Sequence, residues 1–511
     1  MRRNLALAAI SGLLLAAAMP MPGVWAASWF GLVPLLVAIR GARARDAALF
    51  GLICGLVYYG MFIFWLSLLG YASWALLVLL QTAFMVLFAA SACPLMRVRS
   101  VLLRCLAVPA AWTAMQWMRG LGIFGFNLGS FAHTQANNLP VAQLGSITGP
   151  WGVDFLLCLV SVALVDALFP EPDKRNLAPA AAALAVSIVV VAGGWLALRR
   201  TPDYLPKTKV AIIQGSIIGK DHRALQDSRK CLFAYEQMSR AAAADKPDFI
   251  IWPETVIPSR VWDNRLGLLF SQLAATTHTN YLVGAYDLPE DPYRPEGYNS
   301  AFFYDRQGKK LGVYHKVHLV PFGEYVPWRE QMPWLGFLSF RKVDVLADES
   351  HQLVKTEIGK VGTSICFESM FAGIAREETL RGAEVLVVIT NDSWFNRTRF
   401  ARQHLMVSRL RAIENRRYVV QSSTTGISGI IDPYGRIVSE LGIYKRGIVT
   451  GKIAALHTIT PYMRFGDWLA YACTAFALVM LWVRRREQSL QAETRGGAPT
   501  KNKHSGSQKS G

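Results

Sequence analysis

Long apolar segments, almost free of charge, recur along this chain and restrict its fold more than any other feature. Seven lie before residue 200, near 4–20, 24–40, 47–69, 73–93, 101–118, 149–169 and 176–198, and an eighth lies near 467–483. A helix of roughly 20 apolar residues crosses the hydrocarbon core of a bilayer, so the expected architecture is a polytopic α-helical membrane protein with about eight transmembrane helices. Composition agrees. Of 511 residues, 52% are hydrophobic and only 17% charged, too apolar for an ordinary soluble enzyme.

The net charge of +19 raises nucleic acid as a partner, but its distribution argues against one. Positive residues cluster at the ends of apolar segments, and no DNA- or RNA-binding motif is present. Arg2, Arg3, Arg40, Arg43, Arg45, Arg97, Arg99, Arg104, Lys174, Arg175 and Arg484 to Arg486 fall on one side, which the positive-inside rule makes cytoplasmic. Residues 199–466 are therefore expected outside the inner membrane. The first apolar segment, with Arg2-Arg3 ahead and Ala16 to Ala18 behind, also fits a cleavable signal peptide. The next apolar segment follows after a very short turn, which favours retention. The loop from Gly120 to Thr148 is rich in glycine and asparagine, with Phe124, Phe126 and Phe131 interleaved. It suits a segment dipping into the interface near the outer domain, and equally an ordinary external loop.

The expected division is a membrane domain over 1–205, a polar domain over 206–458, a final span over 459–486 and a disordered basic cytoplasmic tail over 487–511. Within 206–458, β-type and α-type patterns alternate, and nearly continuous apolar runs such as Lys209–Gln214, Phe249–Trp252 and Val385–Ile389 imply sheets covered on both faces. Five of seven cysteines lie in or beside apolar segments, leaving Cys231 and Cys366 in the polar domain. That is no disulfide framework.

Lys360-Val361-Gly362-Thr363-Ser364-Ile365-Cys366-Phe367-Glu368 is an apolar strand that ends on a cysteine, with a helical pattern after it. A thiol at such an elbow stands clear of the sheet, near backbone N–H groups that can receive an oxyanion. Glu254 follows the strand ending Ile251-Trp252-Pro253, and Lys316 follows Tyr314-His315 at the end of a hairpin strand. Each alone fits a surface charge or a core thiol. Together they match one chemical need: a base for the thiol, and a cation for the tetrahedral intermediate and for the thiolate.

These residues, in Trp252-Pro253-Glu254-Thr255, in Tyr314-His315-Lys316-Val317-His318-Leu319-Val320-Pro321-Phe322-Gly323-Glu324-Tyr325-Val326-Pro327 and in Ser364-Ile365-Cys366-Phe367-Glu368, resemble the Glu-Lys-Cys triad of the nitrilase superfamily. The block around Lys316, together with Asn391-Asp392-Ser393-Trp394-Phe395, Arg411-Ala412-Ile413-Glu414, Gly426–Pro433 and the membrane plan, is similar to one branch, the apolipoprotein N-acyltransferases. The resemblance implies a nitrilase-like α-β-β-α sandwich facing the periplasm and an acyl chain passed from a phospholipid, typically phosphatidylethanolamine, to Cys366 as a thioester. The α-amino group of a diacylglyceryl-cysteine at a lipoprotein N-terminus then receives it. Glu254 is implied as general base and acid, Lys316 as oxyanion stabiliser, Glu324 and Glu368 as further essential carboxylates, and Phe367 and Trp394 as supporting or substrate-binding groups. A salt bridge that merely positions Lys316 is the plainer role for the two carboxylates. No cofactor or metal is implied.

The chain departs from the family pattern in two places. Ser216 and His222-Arg223 stand where an asparagine and a Lys-Trp pair usually follow the first strand, and Gln116-Trp117-Met118-Arg119 and Gly125-Phe126-Asn127-Leu128 replace Glu-x-x-Arg and Gly-Phe-Pro-Trp. Two other readings compete: a membrane-anchored amidase with water as acceptor, and a transporter with a sensing domain. Eight spans exceed what an anchor requires, and the spans carry few of the polar residues a transporter needs, among them Asp46, Gln81 and Asp154.

Overall fold

The structure, a computed structural model, describes residues 1–19, 23–170, 177–199, 204–217, 225–256, 264–287, 296–339 and 343–496. The amino-terminal part is helical, with long helices at Arg2–Ala18, Ala44–Phe62, Tyr71–Leu95, Val101–Met118, Trp151–Leu168 and Ala178–Arg199. Trp468–Gly496 returns from the carboxyl end to pack on Val101–Met118. Among the described residues four helices are long and apolar enough to cross a membrane: Ala44–Phe62, Tyr71–Leu95, Trp151–Leu168 and Ala178–Arg199.

Two expected elements differ. The apolar segment at 24–40 is no single helix but a 3-10 turn, Trp25–Trp29, and a short helix, Val33–Ile39. Pro34 sits at the start of that helix, where a missing N–H is harmless; inside a longer helix it would break the backbone ladder. The last helix, expected to end near 486, continues to Gly496. Gln488, Leu490 and Gln491 are good helix formers, and Arg484 pairs with Glu487 across one turn. Residues 497–511 lie outside the described residues.

Among the described residues the polar domain is built on thirteen strands: β1 (Thr208–Gln214), β2 (Phe249–Ile251), β3 (Asn280–Asp287), β4 (Gly297–Tyr304), β5 (Lys310–His315), β6 (Val345–Leu346), β7 (Val354–Thr356), β8 (Gly359–Ile365), β9 (Val385–Thr390), β10 (Val419–Ser423), β11 (Ser428–Ile431), β12 (Ile437–Leu441) and β13 (Gly447–Ile453). One sheet runs β13-β1-β2-β3-β4-β5, with β6 on β4, and the other runs β12-β11-β10-β9-β8-β7. β1, β2 and β3 are parallel, as are β8, β9 and β10.

Period-two alternation sorts the side chains. Val210, Ile212, Phe249 and Ile251 meet Val361, Ile365, Val385, Val387 and Ile389 between the sheets. Ala211, Ile213 and Ile250 face the other way, onto Tyr235, Met238, Phe270 and Leu273 from the helices Leu225–Ala243 and Asn264–Thr277. Leu386 and Val388 face the helix Phe400–Asn415, and that apolar cluster continues without a break through Leu410 and Ile413 to Val141, Ala142 and Leu156 of the helical region. The order is helix, sheet, sheet, helix, and the last layer is wedged against the membrane-type helices. Both sheets are covered on both faces, as their apolar strands require.

Candidate active site

Three side chains leave the carboxyl ends of β2, β5 and β8 and converge. Glu254 rides on the turn after β2. Gly284 of β3 passes so close that a Cβ there would meet the Pro253 carbonyl oxygen at 2.3 Å, so only glycine lets the turn sit where it does. The Glu254 carboxylate is 6% exposed. It accepts Asn299 Nδ2 on Oε1 at 2.7 Å and the Asn391 backbone N–H on Oε2 at 2.7 Å. Burial raises its pKa above the ordinary carboxylate value; Lys316 pulls it down, Glu324 pushes it up again, and the two hydrogen bonds lower it.

Lys316 is 1% exposed. Its Nζ donates to Glu324 Oε1 at 2.9 Å and stands 4.0 Å from Glu254 Oε1, while its backbone N–H donates to the Asn299 carbonyl at 2.9 Å. Glu324 is anchored in turn, its Oε2 accepting the Val320 N–H at 2.8 Å. Burial works to lower the ammonium's pKa, but Glu324, then Glu254 and Cys366, carry it above the ordinary lysine value. The group is a fixed cation.

Cys366 is half-buried and takes a left-handed backbone, φ +56°, at the turn from β8 into the 3-10 helix Cys366–Met370. Burial pushes its thiol well above the ordinary value, the Glu254 charge pushes the same way, and Lys316 and a hydrogen bond with Thr390 oppose them. The resting sulfur therefore carries its proton, and a thiolate forms only as that proton moves to a base. Glu254, itself raised, is the carboxylate whose charge acts on it most.

Glu368 does not pair with Lys316. Its Oε1 accepts the N–H groups of Val317 at 2.6 Å and His318 at 2.9 Å, and its Oε2 accepts the Ile365 N–H at 2.6 Å and the Tyr314 hydroxyl at 3.0 Å. It ties the lysine's loop to the cysteine's strand. Fully buried, it is pushed up to about 7 by desolvation, against the pull of Lys316 and its backbone donors.

Phe367 is half-buried beside the elbow, its ring 6.4 Å from Phe126, 5.9 Å from His318 and 5.1 Å from Phe371. Phe126 belongs to the glycine-rich loop, whose Phe124 also meets Phe322 at 6.3 Å and Trp328 at 5.7 Å. The loop therefore reaches the site rather than standing away from it. Arg119 holds it: the buried guanidinium donates to the Leu128 carbonyl at 2.7 Å and the Phe126 carbonyl at 3.3 Å, to Gln81 at 2.6 Å and to Gln116. Trp394 lies in the 3-10 turn Asp392–Phe395, 49% exposed.

Residues 209–462 match the Carbon-nitrogen hydrolase family, and residues 11–163 match the Apolipoprotein N-acyltransferase N-terminal domain. An apolipoprotein N-acyltransferase of Geobacter metallireducens is 31% identical over 505 residues, covering 96% of each chain. The chain belongs to the apolipoprotein N-acyltransferase family. Relatives of the same printed name from Bradyrhizobium diazoefficiens and Gloeobacter violaceus are 32% and 29% identical, covering 75% and 94% of this chain and 74% and 94% of theirs. The α/β domain has the nitrilase-like fold of a carbon–nitrogen hydrolase.

Of the residues singled out in the sequence, Glu254, Lys316, Glu324, Cys366, Glu368 and Phe367 gather at one place. Ser216 has φ +48° and donates its N–H to the Thr424 carbonyl at 3.0 Å; His222 and Arg223 lie outside the described residues. The sequence does not single out Asn299 or Thr390, which the structure places at the site. Asn299 sits in mid-strand between Tyr298 and Ser300, and a buried asparagine among strand aromatics was the available signal.

Proposed function

We propose that this chain N-acylates the amino-terminal diacylglyceryl-cysteine of apolipoproteins, through a thioester on Cys366. The convergence of Glu254, Lys316 and Cys366 at three strand ends carries the reading. Glu254 takes the Sγ proton as sulfur attacks the ester carbonyl of a phospholipid. Negative charge gathers on the carbonyl oxygen opposite Lys316 Nζ, already fixed by Glu324, so little reorganisation accompanies it. The intermediate collapses; the glycerol oxygen leaves with the proton from Glu254, giving a lysophospholipid and the thioester. The α-amine of the acceptor then attacks, Glu254 takes its proton and returns it to sulfur, and the amide leaves. Glu324 positions Lys316, Glu368 locks the two loops together, and Phe367 and Trp394 lie where acyl chains would pass.

By the same reading the acyl donor is phosphatidylethanolamine, and the protein sits in a bacterial inner membrane with about eight spans. Its membrane domain covers 1–205, its catalytic domain 206–458 faces the periplasm, and the last span lies in 459–486, basic residues marking the inner face. The exposed side chains of Trp334 and Phe337, on the turn Pro333–Leu338, form a lid that enters the bilayer surface. The match to the N-terminal domain over 11–163 favours this over an amidase that uses water. The test is purified protein with labelled phosphatidylethanolamine and a diacylated lipopeptide. An N-acylated peptide supports the reading, and free fatty acid as sole product refutes it.

A further inference from the structure

Behind the thiol elbow runs a buried polar chain to which the acyl-transfer steps above assign no part. Ser369 Oγ donates to the Cys366 carbonyl at 2.9 Å and lies 2.8 Å from His404 Nε2. His404 Nδ1 faces Asp392 Oδ1 at 3.2 Å. Asp392 is held by the Thr390 hydroxyl at 2.8 Å on Oδ1 and the Ser423 hydroxyl at 3.1 Å on Oδ2, and a Cβ on Gly426 would fall 2.0 Å from that Oδ2. Ser369, His404 and Asp392 are at most 2% exposed.

The order Asp–His–Ser is that of a nucleophilic triad, but this serine is not a nucleophile. It is 1% exposed, and its single hydrogen is committed to the Cys366 carbonyl, which only accepts. Nε2 of His404 therefore carries the hydrogen between ring and hydroxyl. The chain ends on the backbone of Cys366. That residue's φ of +56° is a strained conformation that persists only where the surroundings over-determine it. Glu368 fixes the N–H of Ile365 on one side of Cys366, and Ser369 fixes its C=O on the other. At its far end the chain reaches Asp392, next to Asn391, whose N–H holds Glu254. His404 stands on the Phe400–Asn415 helix beside Gln403, which accepts Trp65 Nε1 from the helical region at 3.1 Å.

We propose that Ser369, His404 and Asp392 are positioning residues that fix the backbone of Cys366 relative to Glu254, through one buried polar chain seated on the helix Phe400–Asn415 that packs against the helical region. The inference rests on Cys366 being the acyl-bearing thiol, so its test includes Cys366→Ala. Full-length protein is mixed with labelled phospholipid vesicles, and single-turnover labelling is followed for wild type, Ser369→Ala, His404→Ala and the double variant, each checked for an unchanged melting temperature. Ser369→Ala and His404→Ala should each slow labelling on the order of ten- to a hundredfold, as small misplacements of a reacting group do. The lipid concentration at half-saturation should not change. The double variant should be no slower than the slower single one, because both cut the same chain. Should Ser369→Ala not fold, His404→Ala carries the test alone through the same rate-against-saturation split. A wild-type labelling rate in the folded variants, or losses that multiply in the double one, overturns the inference while Cys366→Ala stays unlabelled. Labelling that persists in Cys366→Ala overturns the reading beneath it instead.

Discussion

Glu324→Gln tests how the cation is held. In the structure Lys316 Nζ is 2.9 Å from Glu324 and 4.0 Å from Glu254, so Glu324 is its closer partner. The amide is nearly isosteric and can still accept from Nζ, but it removes a charge-assisted hydrogen bond, about 1.5–3 kcal/mol at a charged group. If half or more of that loss reaches the transition state, labelling slows roughly three- to a hundredfold at 1.36 kcal/mol per decade. The pH profile gives a second, signed readout. Glu324 raises the pKa of Glu254 while Lys316 lowers it, so removing Glu324 leaves the lowering partner in place. The acid limb of single-turnover labelling, where Glu254 must be ionised to act as base, should then move to lower pH. Rates are measured from pH 4 to 9 in phospholipid vesicles with Cys366 labelling as the signal. An unchanged rate, or an acid limb displaced to higher pH, refutes the reasoning.

Trp334→Ser with Phe337→Ser, at side chains 64% and 73% exposed, should slow labelling from long-chain lipids far more than it lowers the melting temperature; equal labelling would remove the lid. Glu368 should make stability pH-dependent. With its folded pKa about 7 against an ordinary 4.5, the folded protein holds a proton between those values that the unfolded chain has released, so stability rises as pH falls from 7 to 4.5. Glu368→Gln should flatten that rise and, by leaving a buried N–H without an acceptor, destabilise by about 1–3 kcal/mol; thermal scans at pH 5 and 8 decide. A reporter active only outside the cytoplasm, fused at residue 300, should be active, and cytoplasmic activity there would invert the proposed topology.

The strands that present the site were legible because their chemistry is local. Ile365 before Cys366 and Ile251 before Trp252-Pro253-Glu254 mark apolar runs that stop on a reactive group, and the structure brings those ends together. What stayed hidden depends on contacts between distant segments. The helix Phe400–Asn415 is expected from the sequence over 402–416, but its burial is not: every position except Arg402 is buried, although it carries Gln403, His404, Arg409 and Arg411. Some of its polar groups find partners far along the chain: Arg409 donates to Asn137 and to the Gly435 carbonyl, and Gln403 accepts from Trp65. Arg104, expected as an inner-face charge, also pairs with buried Asp166 at 2.8 Å, a partner the sequence does not single out. Glu368, expected as a further essential carboxylate with a Lys316 salt bridge as its plainer role, draws three of its four donors from the segment 314–318 and the fourth from Ile365, a tie that spacing along the chain does not reveal.

The central claim is that Cys366 carries the acyl group until an amine arrives, and the persistence of that thioester tests it most directly. Full-length protein in phospholipid vesicles without lipopeptide should accumulate one hydroxylamine-labile acyl chain at Cys366, absent in Cys366→Ala. Lys316→Ala should slow its formation about a hundredfold or more, the usual loss of an oxyanion donor. Adding a diacylated lipopeptide should discharge the label into an amide. Label that disappears into plain buffer as fast as it forms, leaving only free fatty acid, would contradict the account.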